Sequence, residues 1–292
     1  MSIINNDRAG SQIRLLCLID RVLNRRKQKL IERDELIAML RPSNLPKKTR
    51  GESRFAENLD FWVKEGLWHQ EGSAISRAEI SASEVDLPCR VLDLLINNAK
   101  ERDLMQGNRG EPFLRSVTAL LAQEKYTFVG RTCLDKGNIS KAVGRLSTDR
   151  AFNETNEAAT LLEYAEFLGF LEPFGSGYIV DPTRAIEPVL SDVFQDKGEL
   201  TANQFMANLV EIMPMLDGGS YRQLIEPLLT AQDWQPLPYH QVSASLSHAL
   251  IRLELDLKLT LESRSDDLDA LQLQTPDGKQ RQISVIRLRE ND

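Results

Sequence analysis

Residues 59–76 read LDFWVKEGLWHQEGSAIS and residues 162–179 read LEYAEFLGFLEPFGSGYI, so one phrase is used twice at an offset of 103 residues. The duplication constrains the fold more than any single residue does. In each copy an apolar helical stretch (Leu59, Trp62 and Val63; Leu162, Ala165 and Phe167) runs into a glycine, Gly66 or Gly169. Glycine adopts the left-handed conformation without steric cost, so both helices are expected to stop there. A short apolar stretch, a Gly-Ser tip (Gly72-Ser73; Gly175-Ser176) and a second β-prone stretch follow, which is the layout of a two-stranded hairpin. Helix, glycine and hairpin predict a winged-helix unit, used in tandem.

The chain has 292 residues, enough for two or three such units. Hydrophobic residues at 41% and charged residues at 27% suit a soluble folded protein, and no apolar run approaches the roughly 20 residues of a membrane helix. The opening MSIINNDRAGSQ lacks the basic-then-apolar order of a secretory leader, which predicts a cytoplasmic protein. Cys17, Cys89 and Cys133 lie far apart with no CxxC pair, so neither a disulfide framework nor a zinc knuckle is supported.

Helical spacing appears in SQIRLLCLIDRVLNRR and in IERDELIAML, which Pro42 ends. A third helix starts within TRGESRFAEN, capped by Thr49 with Glu52 at capping-box spacing or equally by Ser53, and ends at Gly66. VLDLLINNAKERDL reads as a connecting helix and GNRGEP as a linker. The second unit opens with FLRSVTALLAQ, continues through NISKAVGRL, and starts its third helix at Asn153 with Glu154 and Glu157 in the first turn. The C-terminal third begins with helices in LTANQFMANLVEIMPML and YRQLIEPLL, broken at Asp217, Gly218 and Gly219. Residues Ile251 to Glu262 alternate as a strand, although the preceding SASLSHALIRL is spaced as a helix, which leaves the change-over point open. ALQLQ and RQISVIRL flank the turn sequence TPDG. The expected fold class is therefore mainly α with small β-hairpins (α+β), built from tandem winged-helix domains. The expected divisions are 1–88, a connecting helix and linker over 89–110, a second unit over 111–195, and a diverged winged helix with a β-meander over 196–292.

Charge is polarised beneath the net value of −7. Residues 1–80 carry 15 basic and 11 acidic side chains, residues 81–150 carry 11 and 9, and residues 151–292 carry 10 and 23. Lys47, Lys48, Arg50 and Arg54 gather at the start of the third helix, where helix-turn-helix proteins meet the major groove and its phosphates. A solvated loop is the bland alternative. If all four touch phosphates, log K should fall with log salt at a slope of about −3.6. Arg54 or Asn58 on the exposed helical face could read bases. Arg25, Arg26, Lys27 and Lys29 form a second DNA-binding candidate, with compensation of a helix C-terminal dipole equally able to explain them. In the second unit Glu154 and Glu157 would repel a phosphate backbone, leaving Lys141, Arg145 and Arg150 as secondary DNA-binding candidates. The acidic C-terminal third suits a protein-facing surface or plain solubility.

No phosphate loop, dinucleotide fingerprint, HExxH or GxSxG occurs, so no catalytic residue, cofactor or metal site is expected. His69, His240 and His248 are scattered. Asp266, Asp267 and Asp269 read as a solvated turn before they read as a cation site. Asp256 and Lys258 have the D-x-K spacing of some nuclease sites without a matching upstream acid. Trp62 reads as core, whereas Trp68 and His69 alternate along a strand so that one of them faces outward.

The opening MSIINNDRAG, the phrase FWVKEGLW and the closing RQISVIRL resemble the DpdG family of the clusters that install 7-deazapurines in DNA. In architecture the chain resembles tandem winged-helix components of bacterial anti-phage and modification-restriction clusters. The resemblance implies a non-enzymatic partner of a cluster ATPase or helicase that engages DNA. The expected function is a DNA-binding adaptor, with duplex DNA on the first unit and an ATPase, helicase or nuclease on the acidic part, and no membrane. A homo-oligomer is compatible with the sequence. The alternatives are a transcription regulator, dimeric on a palindrome, and a structural subunit like the winged-helix proteins that bind kleisins.

Overall fold

A computed structural model describes residues 3–25, 30–41, 50–77, 87–99, 104, 111–143, 152–230 and 234–289. The chain is a mixture of helices and small antiparallel sheets, as the periodicities require. Among the described residues no helix is long and apolar enough to cross a membrane.

The first unit runs through α1 (Ile13–Arg25), β1 (Ile31–Glu32), α2 (Arg33–Leu40), α3 (Arg50–Glu65), β2 (Trp68–Glu71) and β3 (Ala74–Arg77). Its sheet has the order β1-β3-β2. After α4 (Leu87–Asn98), the second unit has α5 (Glu111–Ala122), α6 (Ile139–Val143), α7 (Glu154–Phe167), β4 (Leu171–Phe174) and β5 (Gly177–Val180). In place of a third strand, Leu134 makes a single antiparallel bridge to Tyr178. That bridge sits 103 residues beyond the pairing of Ile31 with Ile75, so the repeat reaches back past the duplicated phrase to the strand before the second helix.

Short helices α8 (Thr183–Ile186) and α9 (Leu190–Phe194) lead into β6 (Glu199–Thr201), α10 (Ala202–Ile212), α11 (Ser220–Thr230), α12 (Ala244–Leu255) and β7 (Leu259–Glu262). Then come β8 (Leu271–Gln274), β9 (Gln280–Ile283) and β10 (Val285–Leu288). The sheet order β6-β10-β7 repeats that of β1-β3-β2, with β8 and β9 inserted as a separate hairpin between its last two strands. The strand pattern over Ile251–Glu262 is corrected here: α12 continues to Leu255, because Ala249, Leu250 and Leu253 fill the core at helical spacing. The sequence RQISVIRL likewise divides at Ser284, and its two halves join different sheets.

One capping geometry closes all three units. Gly66 N–H donates to Val63 O at 3.1 Å and Leu67 N–H to Trp62 O at 2.9 Å. Gly169 and Phe170 make the same pair to Glu166 O and Ala165 O, and Leu257 and Lys258 make it to Glu254 O and Leu253 O. These are Schellman caps, which need a left-handed residue after the helix. Gly66 (φ 96°), Gly169 (φ 84°) and Leu257 (φ 59°) supply it. The third copy escapes a sequence search because leucine stands where the other two have glycine.

The buried side chains form one continuous hydrophobic core through all three units. Residues near the start of the chain tie the first two together. A single 3-10 turn at Ala9–Ser11 lies between α3 and α7: Asn58 Nδ2 donates to Ala9 O at 2.6 Å, and the Tyr164 hydroxyl donates to Gly10 O. Asn6 N–H adds a bond to Asn156 O at 2.9 Å. Gly10 packs on Phe61, where a Cβ would sit 2.4 Å from the ring. Phe61 and Tyr164 occupy the same position in the two copies.

Candidate nucleic-acid interface

Three helices, α3, α7 and α12, hold equivalent places before the hairpin of their units, and their first turns differ. At α12, Ser243, Ala244, Ser245 and Leu246 are all buried. Ser243 accepts from Leu246 N–H at 3.4 Å, and the Ser245 hydroxyl donates to Leu121 O at 2.9 Å. At α7, Asn153 caps Asn156 N–H at 3.1 Å, and Glu157 folds back onto Asn153 N–H at 2.9 Å. The chain start docks on the same turn through Asn156, whose side chain also donates to Asp7 Oδ2 at 3.3 Å. Glu157 is buried, so it closes its own helix instead of projecting a carboxylate outward. Glu154 remains exposed.

At α3 the outer and inner sides of the helix separate cleanly from Ser53 onward. Ser53 and Arg54 are exposed, while Phe55, Leu59 and Trp62 on the opposite side are buried. Arg50 begins the helix. Lys47 and Lys48 precede it in sequence and lie outside the described residues, as do Arg26, Lys27, Lys29, Arg145 and Arg150. Arg25 is exposed at the end of α1 and Lys141 is exposed on α6. Of the nearby acids, Asp60 is neutralised by Arg33 of α2, with Nη1 2.5 Å from Oδ1 and Nη2 2.8 Å from Oδ2. The hydrogen bond that Arg33 donates to Asp60 raises the Arg33 pKa. Glu57 is exposed. Asn58 is not on the outer face: it is fully buried and holds the turn at Ala9, so it cannot read a base.

The hairpin settles which neighbour faces out. Trp68 is buried and its Nε1–H donates to Asp20 Oδ1 at 3.1 Å, whereas His69 is exposed. Asp20 also pairs with Arg90 of α4 at 2.9 Å, and Arg90 donates to Leu67 O at 3.3 Å. Arg90 and Asp20 are both buried. Sequence reading missed this network, because its members come from three separate segments and no local pattern joins them.

Other charged features are engaged structurally. Asp256 caps α12 and Lys258 pairs with Glu187 at 3.0 Å across the left-handed Leu257, so the D-x-K spacing brings no shared site together. Asp267 Oδ1 accepts Asp269 N–H at 3.0 Å within a turn. A cleft of about 660 Å³ at the junction of the units is lined by Cys89, Asp93, Gly169, Arg184, Lys258 and Arg289. Its cations already have partners: Arg184 meets Glu172 at 2.5 Å, and Arg289 donates to Thr260 Oγ1 at 2.8 Å. Burial, followed by the charge of Asp192, raises the Asp93 pKa.

Fold and site together describe a mixed α+β chain built on a recurring helix-and-hairpin unit. The chain belongs to the DpdG-like family, whose model matches residues 1–267. Membership agrees with the resemblance read from the sequence and suggests a role in a DNA modification and defence cluster. No curated protein and no solved structure matches the chain.

Proposed function

We propose that the protein is a non-enzymatic, cytoplasmic DNA-binding adaptor of a DNA modification and defence cluster, built from winged-helix units. In this reading α3 meets duplex DNA, and the acidic part beyond residue 150 meets an ATPase, helicase or nuclease. The observation that carries the reading is the outer face of α3, where exposed Arg54 stands opposite the buried Phe55, Leu59 and Trp62 and follows Lys47, Lys48 and Arg50 in sequence, whereas the first turn of α12 is buried and that of α7 exposes Glu154. A helix start with cations before it attracts phosphate through N–H groups and charge together.

Fluorescence anisotropy of labelled duplex DNA across a salt series tests it. The wild type should bind with a log–log salt slope of about −3.6 from the four cations Lys47, Lys48, Arg50 and Arg54. A variant with these residues changed to Glu, folded by circular dichroism, should lose that binding. Absence of wild-type binding at low salt would leave the units as protein-interaction modules.

A further inference from the structure

The exposed side of α1 carries a row of cations that local clustering in the sequence did not reveal. Arg14, Leu18, Arg21 and Arg25 are exposed, while Leu16, Ile19 and Leu23 are buried on the far side. At 3.6 residues per turn the three arginines fall within an arc of about 40° and span about 16 Å of helix. None of them makes an ion pair or a side-chain hydrogen bond to another described residue. The single acid of α1, Asp20, points the other way and is held by Arg90 and Trp68. In sequence the row runs on into Arg26, Lys27 and Lys29, and no carboxylate occurs between Arg21 and Lys29.

We infer that this face of α1 is a second duplex-DNA contact that grips the phosphate backbone without reading bases. The conclusion rests on the DNA-binding reading above and extends it to a different helix. A straight row of guanidinium groups with no interleaved acid complements a uniform polyanion. A strand carries one charge per about 3.4 Å of duplex axis, so the 16 Å row lies along about five phosphates. Arginine suits the task because its planar fork bonds two phosphate oxygens at once. An acidic protein surface is the competing occupant, and Leu18 within the row would serve it. The row lies in residues 1–80, which carry 15 basic against 11 acidic side chains although the whole chain is −7.

The test compares three full-length proteins on one labelled 30-base-pair duplex over a salt series: wild type, the triple variant Arg14→Gln/Arg21→Gln/Arg25→Gln, and Arg54→Gln on α3. Unfolding midpoints confirm that each is folded. The triple variant should bind more weakly on every duplex sequence, and its salt slope should be shallower by about 2.7, or about 0.9 per lost phosphate contact. Replacing the same three residues by Lys should restore most of the slope, since charge is retained. A triple variant with wild-type affinity and slope, beside a weakened Arg54→Gln, would overturn the α1 contact while leaving the α3 reading intact. Unchanged DNA binding with lost retention on immobilised poly-glutamate would overturn it in favour of an acidic protein partner. If the wild type binds no duplex, both readings fall together.

Discussion

At the scale of single residues, the three caps form an internal experiment. Gly66 and Gly169 have the same geometry and different surroundings. A Cβ at Gly66 meets only Leu94 Cδ1 at 3.7 Å, whereas one at Gly169 lies 2.7 Å from Ala185 N and 2.8 Å from Arg184 C. Gly66→Ala should therefore lose about 1–2 kcal/mol, the cost of a left-handed alanine. Gly169→Ala should lose clearly more, because backbone must move. Leu257 already bears that strain, and it is exposed. Leu257→Gly should gain up to about 1 kcal/mol, the relief being partly offset by the greater freedom of glycine in the unfolded chain. Urea midpoints at fixed slope would rank all three. The buried pair gives the opposite kind of prediction. Asp20→Ala strands Arg90 in the core and should cost about 3–5 kcal/mol, while the double variant Asp20→Leu/Arg90→Met should recover most of it.

At the scale of elements, the second hairpin and α12 meet at a joint that titrates. Asp181 is fully buried, accepts Thr183 N–H at 3.0 Å, binds Arg252, and lies 3.5 Å from His248 Nε2. Phe128 covers the imidazole at 5.6 Å between ring centres and meets Phe174 of the hairpin at 6.5 Å. Burial lowers the His248 pKa, with Asp181 opposing and Arg252 assisting. A depressed folded pKa favours the neutral ring, so the joint keeps its full stability above the unfolded value of 6.5 and loses it as pH falls through the folded value. Unfolding midpoints at pH 8 and pH 5.5 should differ more for the wild type than for His248→Gln; equal differences would remove His248 from the joint. The sequence disclosed the units through their periodic core and their glycines, because these signals are local. It did not disclose Asn58 as a buried anchor, since an asparagine at that spacing reads as outward-facing until the turn at Ala9 is folded over it. Nor did it disclose the third cap, whose leucine hides the left-handed turn, or the α1 row, whose members stand seven and four residues apart.

At the scale of the whole molecule, the continuous core predicts cooperative behaviour. Thermal unfolding followed by far-ultraviolet circular dichroism and by fluorescence of Trp62, Trp68 and Trp234 should give coincident transitions, since no unit is bounded by its own closed core. Separate transitions would show that the units are energetically independent. The chain start adds a lock between units: Gly10→Ala should push against Phe61 and destabilise both α3 and α7, by about 1–3 kcal/mol on the scale of overpacked cores. The same lock has a consequence for synthesis. Asn6 and Gly10 are bonded to Asn156 and Tyr164, which leave the ribosome about 150 residues later, or about 8–30 s at bacterial and eukaryotic elongation rates. Until then the segment that carries Ile3 and Ile4, both buried in the folded chain, lacks the α7 partners that fix it, so it should be cut by protease in ribosome-bound chains stalled before residue 156 and protected in the finished protein.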